Sequence, residues 1–124
     1  MSSLVLQAYW KLVFFDLFLV RGKFDALHRA VRGCRTRKEM RRGDSVRQVC
    51  SAVDMACIWY WKEVLCLQRS AATACLLRKH GVSAQLVIGA QHVPFKAHAW
   101  VEVSGEVVND KPYTPEMYAV LERC

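Results

Sequence analysis

At Gly81 the hydrophobic period of this chain changes from three-to-four residues to two, and that switch restricts it to one class of fold. Before it, apolar positions recur at helical intervals. The clearest stripe is Val46, Val49, Cys50, Val53, Cys57, Tyr60, Trp61 and Val64, behind an Asp44-Ser45 cap. After it, Val82, Ala84, Leu86 and Ile88 alternate with polar or small residues up to Gly89. Helices first and antiparallel strands after make an α+β domain.

The remaining elements follow from caps and breaks. A strongly apolar helix is expected over 4–20, behind Ser2-Ser3, and a short one over 23–32. A helix over 66–80 ends in Arg78-Lys79-His80, which suits the negative end of its dipole, and stops at Gly81. Residues 90–95 read as a loop. A strand over 96–103 turns at Ser104-Gly105 and returns through Glu106 to Asp110. Pro112 and Pro115 bracket a turn, and 116–123 reads as a short terminal helix.

With 124 residues, the chain can bury a full core without staples. Its six cysteines, at 34, 50, 57, 66, 75 and 124, form no Cys-x-x-Cys pair and no zinc spacing, so no metal is expected. With no secretory signal evident, they read as mostly free thiols in a reducing cytoplasm. The net charge of +7 lies wholly between Arg21 and Arg47, where ten basic and three acidic residues fall. That run suits a solvated face, an acidic protein or peptide, or anionic lipid. It lacks interleaved aromatics, so nucleic acid is not expected. The 4–20 helix is short for a membrane span and carries Lys11 and Asp16. It can be core, a docking surface for a partner, or an interfacial helix; membrane contact is the least favoured of the three.

One constellation could run a reaction: Cys66 at a helix start, His98 on a strand 32 residues later, and Asp110 12 residues after that. A thiol reacts as thiolate, and a helix N-terminus and an imidazolium both lower its pKa. His98 can take the thiol proton and return it to a leaving amine. The backbone N–H groups of Cys66 or Leu67 can hold the oxyanion, and Asp110 can orient the imidazole. Cys75 lies about 180° around the helix from Cys66 and cannot share its site. Glu102 is on the same strand face as His98, but about 13 Å along it.

Strand parity attaches a condition. A tight two-residue turn at Ser104-Gly105 would pair Asp110 with Ala99, facing away from His98. A triad therefore needs a bulged or longer turn over Ser104–Glu106, or an Asp110 that lies past the ladder. Asn109 is a candidate substrate or backbone contact. Trp100, Phe95, Trp59, Leu6 and Phe14 are candidate substrate or partner contacts.

The local sequences carry more than the spacing does. Cys66-Leu67-Gln68-Arg69-Ser70, Leu76-Leu77-Arg78-Lys79-His80-Gly81-Val82, Leu86-Val87-Ile88-Gly89, and Pro94-Phe95-Lys96-Ala97-His98-Ala99-Trp100-Val101-Glu102 with Gly105 and Asn109-Asp110 together resemble the lasso-peptide leader peptidases. These are the B proteins of bacterial lasso-peptide pathways, with a transglutaminase-like, papain-like core. The resemblance runs over residues 45 to 115. It implies a helix bearing the nucleophilic Cys packed on a small antiparallel sheet. Residues 45–124 would be the peptidase core and 1–44 an apolar and basic helical extension.

It further implies a cysteine peptidase that frees the core of a precursor peptide from its leader. Cys66 would be the nucleophile, His98 the base and Asp110 the orienting acid. ATP belongs to the pathway, and no cofactor is expected on this chain. Partners would be the precursor peptide, a separate leader-binding winged-helix protein and the lasso cyclase. The N-terminal half could dock that leader-binding protein. An amidase or transamidase of the same superfamily, or a non-catalytic leader-binding module, is the alternative.

Overall fold

The computed structural model describes residues 3–22, 24–34, 44–92 and 95–124. Helices α1 (Ser3–Val20), α2 (Phe24–Gly33), α3 (Asp44–Trp59) and α4 (Cys66–Lys79) precede strands β1 (Ala84–His92), β2 (Phe95–Val103) and β3 (Glu106–Val107). A single turn, α5 (Thr114–Met117), leads into β4 (Ala119–Arg123). The antiparallel sheet has the order β3-β2-β1-β4.

Helix α4 lies on β1 and β2, and α1 and α3 pack on α4 and on each other. Its run of small residues allows this: Ala71, Ala72 and Ala74 are all fully buried. The core joins Leu12 and Phe15 of α1, Leu27 of α2, Val53 of α3, Leu76 of α4, Leu86 of β1 and Val101 of β2. The helices before residue 45 thus share one core with the segment after it.

Helix α1 is apolar nearly all round, and the fold uses only part of that surface. Ala8, Leu12 and Phe15 are buried, whereas Leu6, Trp10, Phe14, Leu17 and Val20 form an exposed stripe along the other side. Asp16, the acid inside this helix, is buried. It accepts from the Tyr60 hydroxyl at 2.8 Å and pairs with Lys62 at 2.8 Å. These two contacts turn the chain back on α1, so α3 ends at Trp59 although its apolar stripe runs on to Val64.

Arg78 does more than complement a dipole. Its buried guanidinium donates to the carbonyls of Ala84 (2.9 Å), Val31 (2.6 Å), Cys34 (3.2 Å) and Cys124 (2.6 Å). It ties together the ends of α2, α4 and β4 and the start of β1. The same docking brings Cys34 within 5.5 Å of Cys75, Cα to Cα, and the two form a disulfide. This corrects the reading of mostly free thiols for that pair; Cys50, Cys57, Cys66 and Cys124 are free.

Two further expectations are corrected. The expected loop over 90–95 is largely strand, with His92 paired to Phe95 and residues 93 and 94 outside the described residues. The expected terminal helix over 116–123 is mostly β4. Sheet completion overrides helix propensity there: β1 has a second edge to satisfy, and Leu86 exchanges both backbone bonds with Cys124 (2.9 and 2.8 Å). Among the described residues, no helix is long and apolar enough to cross a membrane.

Candidate active site

Leu65 has extended backbone (φ −74°, ψ 152°) and its carbonyl accepts from the Arg69 N–H at 2.9 Å. Cys66 is therefore the first residue of α4, as the sequence suggests. The first N–H groups of a helix, including those of Cys66 and Leu67, have no intrahelical acceptor and form its positive end. The other free thiols are unsuited to attack. Burial pushes Cys50 up to about 11, and burial likewise raises Cys57 and Cys124.

The hairpin after β2 settles the parity question. Ser104 (φ 53°) and Gly105 (φ 80°) form a tight two-residue turn, with Val103 paired to Glu106 and Glu102 to Val107. The bulged or longer turn does not form. The ladder stops at Val107 instead, and Asp110 lies past it. Val108 still donates to the Val101 carbonyl (3.0 Å), but the Val101 N–H turns to the Asn109 side chain (2.7 Å). The Asn109 amide donates in turn to Ser70 Oγ (3.0 Å), and Arg69 donates to its carbonyl. Asn109 is thus a backbone contact, and it frees the chain from strand alternation one residue before the acid.

Asp110 Oδ2 then meets His98 Nε2 at 2.5 Å, while Oδ1 accepts from the Lys111 N–H at 2.8 Å. Burial alone would raise the Asp110 carboxyl. The bonds from His98 and Lys111, with the charges of His98 and Arg69, outweigh it and hold the group below the usual carboxylate range. Asp110 occupies Nε2, which leaves Nδ1 as the nitrogen for a thiol.

Cys66 is linked to this pair through its helix. Ser70, one turn on and on the same helix face, donates to the carbonyl of Ala99 at 3.1 Å, next to His98. Among the described residues no hydrogen bond joins Cys66 to His98 directly. Such contacts commonly close only in the substrate complex.

Behind His98 is an aromatic wall. Its ring centroid lies 5.2 Å from Tyr118 and 6.1 Å from Trp100, with planes inclined by 24° and 29°. Trp100 is wholly buried, which corrects its reading as a substrate or partner contact. Glu102 does not reach His98; it accepts from Trp100 Nε1 at 2.9 Å and from Arg123 at 2.5 Å. Sequence reasoning missed Tyr118, because it placed that residue in a terminal helix. Leu6, Phe14 and Trp59 are exposed. The Phe95 side chain lies outside the described residues. Among the described residues, no group of three or more His, Cys, Asp or Glu could hold a metal ion.

Over 56 residues, 45% of this chain and 27% of the relative, the sequence is 41% identical to the Microcin J25-processing protein McjB of Escherichia coli. The chain thus aligns with about a quarter of that protein's length. No solved structure matches. The match to the transglutaminase-like superfamily extends over residues 9–123, from α1 through β4, and the chain belongs to that superfamily.

Proposed function

We propose that this chain is a cysteine peptidase that removes the leader from a ribosomally made lasso-peptide precursor, using Cys66, His98 and Asp110. The observation that carries the proposal is the His98–Asp110 bond beside the helix that starts at Cys66. It occurs in a chain related to a microcin-processing protein.

His98 Nδ1 takes the Cys66 proton, and the thiolate attacks the carbonyl carbon of the scissile bond. The oxyanion is held by the first N–H groups of α4, those of Cys66 and Leu67. The imidazolium, stabilised by Asp110, protonates the departing amine, which leaves as the free N-terminus of the core peptide. Water, deprotonated by the same imidazole, then attacks the thioester. The leader departs as a carboxylic acid and the thiol is restored. Every step uses groups of this chain, the peptide and water.

The leader-binding protein and the cyclase are proposed as partners, with α1 as the docking element. Its exposed stripe of Leu6, Trp10, Phe14, Leu17 and Val20 is a long apolar surface outside the core.

The test mixes the chain with a precursor peptide and a leader-binding winged-helix partner and follows products by mass. Hydrolytic release of the leader by wild type, and none by Cys66→Ala, is expected. Release of ammonia or a crosslink in place of hydrolysis would show a transamidase, and cleavage by Cys66→Ala would refute the mechanism.

A further inference from the structure

We propose that Tyr118 is a positioning residue for His98, acting through its ring, and that Trp100, Glu102 and Arg123 form the fixed backing against which both rings rest. This deepens the thiol-peptidase reading and rests on it.

Asp110 tethers the imidazole at one atom, Nε2. A single tether leaves the ring plane free to rock, and Nδ1 would swing with it. Stacking removes that freedom. Tyr118 and Trp100 both lie within the range of favourable ring contacts to His98, with near-parallel planes, and they contact each other at 6.0 Å.

The backing is itself held. Trp100 is fully buried, its Nε1 donates to Glu102, and Arg123 holds the other oxygen of that carboxylate. Tyr118 is held by β1. A Cβ built on Gly89, the residue paired with His98, would come within 2.9 Å of Tyr118 Cβ and 2.7 Å of Trp100 Cη2. Only a glycine lets the Trp100 ring and the Tyr118 Cβ sit that close to the strand. The Tyr118 backbone is extended (φ −129°, ψ 139°), which delivers the side chain from the entry of β4. Among the described residues its hydroxyl makes no hydrogen bond, so the ring is the part in use.

The test compares Tyr118→Phe, Tyr118→Leu and Tyr118→Ala, with Tyr118→Leu keeping a branched apolar side chain without a ring. Two readouts are taken. One is leader removal. The other is the pH dependence of Cys66 alkylation by iodoacetamide, followed on the Cys66 peptide by mass, which needs no peptide substrate. Tyr118→Phe should match wild type in both. Tyr118→Leu and Tyr118→Ala should lower kcat by about tenfold to a hundredfold with little change in KM. They should also slow alkylation of Cys66 at neutral pH.

Unchanged kcat and alkylation in folded Tyr118→Leu would overturn the proposal. So would a Tyr118→Phe loss as large as that of Tyr118→Ala, since the hydroxyl would then carry the role. If wild type fails to cleave the precursor while its alkylation profile still responds to Tyr118→Leu, the leader-peptidase reading fails and the positioning role stands.

Discussion

Replacing Gly89 with alanine adds one methyl group to a strand, and that methyl has nowhere to go. Its carbon would lie 2.7 and 2.9 Å from two atoms of the Trp100 ring and 2.9 Å from Tyr118 Cβ. Ordinary contact begins near 3.4 Å, so the ring must retreat by several tenths of an ångström. Trp100 is fully buried and bonded to Glu102, so retreat means overpacking or a broken bond. Overpacking costs about 1–3 kcal/mol, and a weakened bond to a carboxylate adds up to about 1.5–3 kcal/mol. We expect a net loss of about 2–4 kcal/mol, a fall in Tm of roughly 8–16 °C for a domain of this size. The sign is the sharp part. Backbone entropy alone would make alanine better than glycine in a strand by about 0.5–1 kcal/mol. Urea and thermal unfolding of the two proteins decide it, and a raised or unchanged Tm would refute the reasoning. A double mutant with Trp100→Leu removes the two colliding ring atoms and leaves only the Tyr118 Cβ contact, so the two substitutions should be non-additive, with Gly89→Ala costing less in that background.

Other substitutions probe the remaining parts. Asp110→Asn should lower kcat by about 10²–10⁴ while the protein stays folded, as judged by circular dichroism. Because the Asp110 carboxyl is held below its ordinary value, its stabilisation is present above the unfolded pKa near 4 and is lost as pH falls through the lower folded value. Asp110→Asn should flatten that acid limb in unfolding measured from pH 5 downward. Arg78→Leu strips donors from four carbonyls and should cost about 3–5 kcal/mol; a loss under about 1 kcal/mol in urea unfolding would show that water replaces it. Cys34→Ser opens a crosslink between residues 41 apart, worth about 4 kcal/mol by chain entropy, and a reductant should lower wild-type stability but leave the variant unchanged.

Much of the fold was legible because each helix carries its own signals. Cys66 begins α4 and Gly81 follows its end, as caps and charges indicate. The alternation after Gly81 marks β1 correctly. What failed depends on tertiary partners. Residues 119–123 have acceptable helical character, and only the open edge of β1 makes them a strand. Cys34 and Cys75 show no local pairing pattern, since their proximity arises from docking α2 on α4. The two faces of α1 could not be told apart, because nearly every residue is apolar and only the neighbours select which are covered. At the site, parity reduced Asp110 to two arrangements. The choice between them lay in Asn109, whose side chain satisfies the Val101 N–H and ends strand alternation early.

The helix that begins at Cys66 is anchored along its length. Near its start Gln68 donates to the Leu12 carbonyl, Ser70 to Ala99 and Arg69 to Asn109; at its far end stand Arg78 and the Cys34–Cys75 bond. A rod fastened at both ends has little freedom to pivot. On the proposed mechanism the sulfur is then a stationary point, and adaptation to different peptides falls to the solvent-facing side chains around it: Trp61 and Leu65 just before it and Tyr113 just after Asp110. Selection for new substrates should accumulate changes there and leave the helix alone.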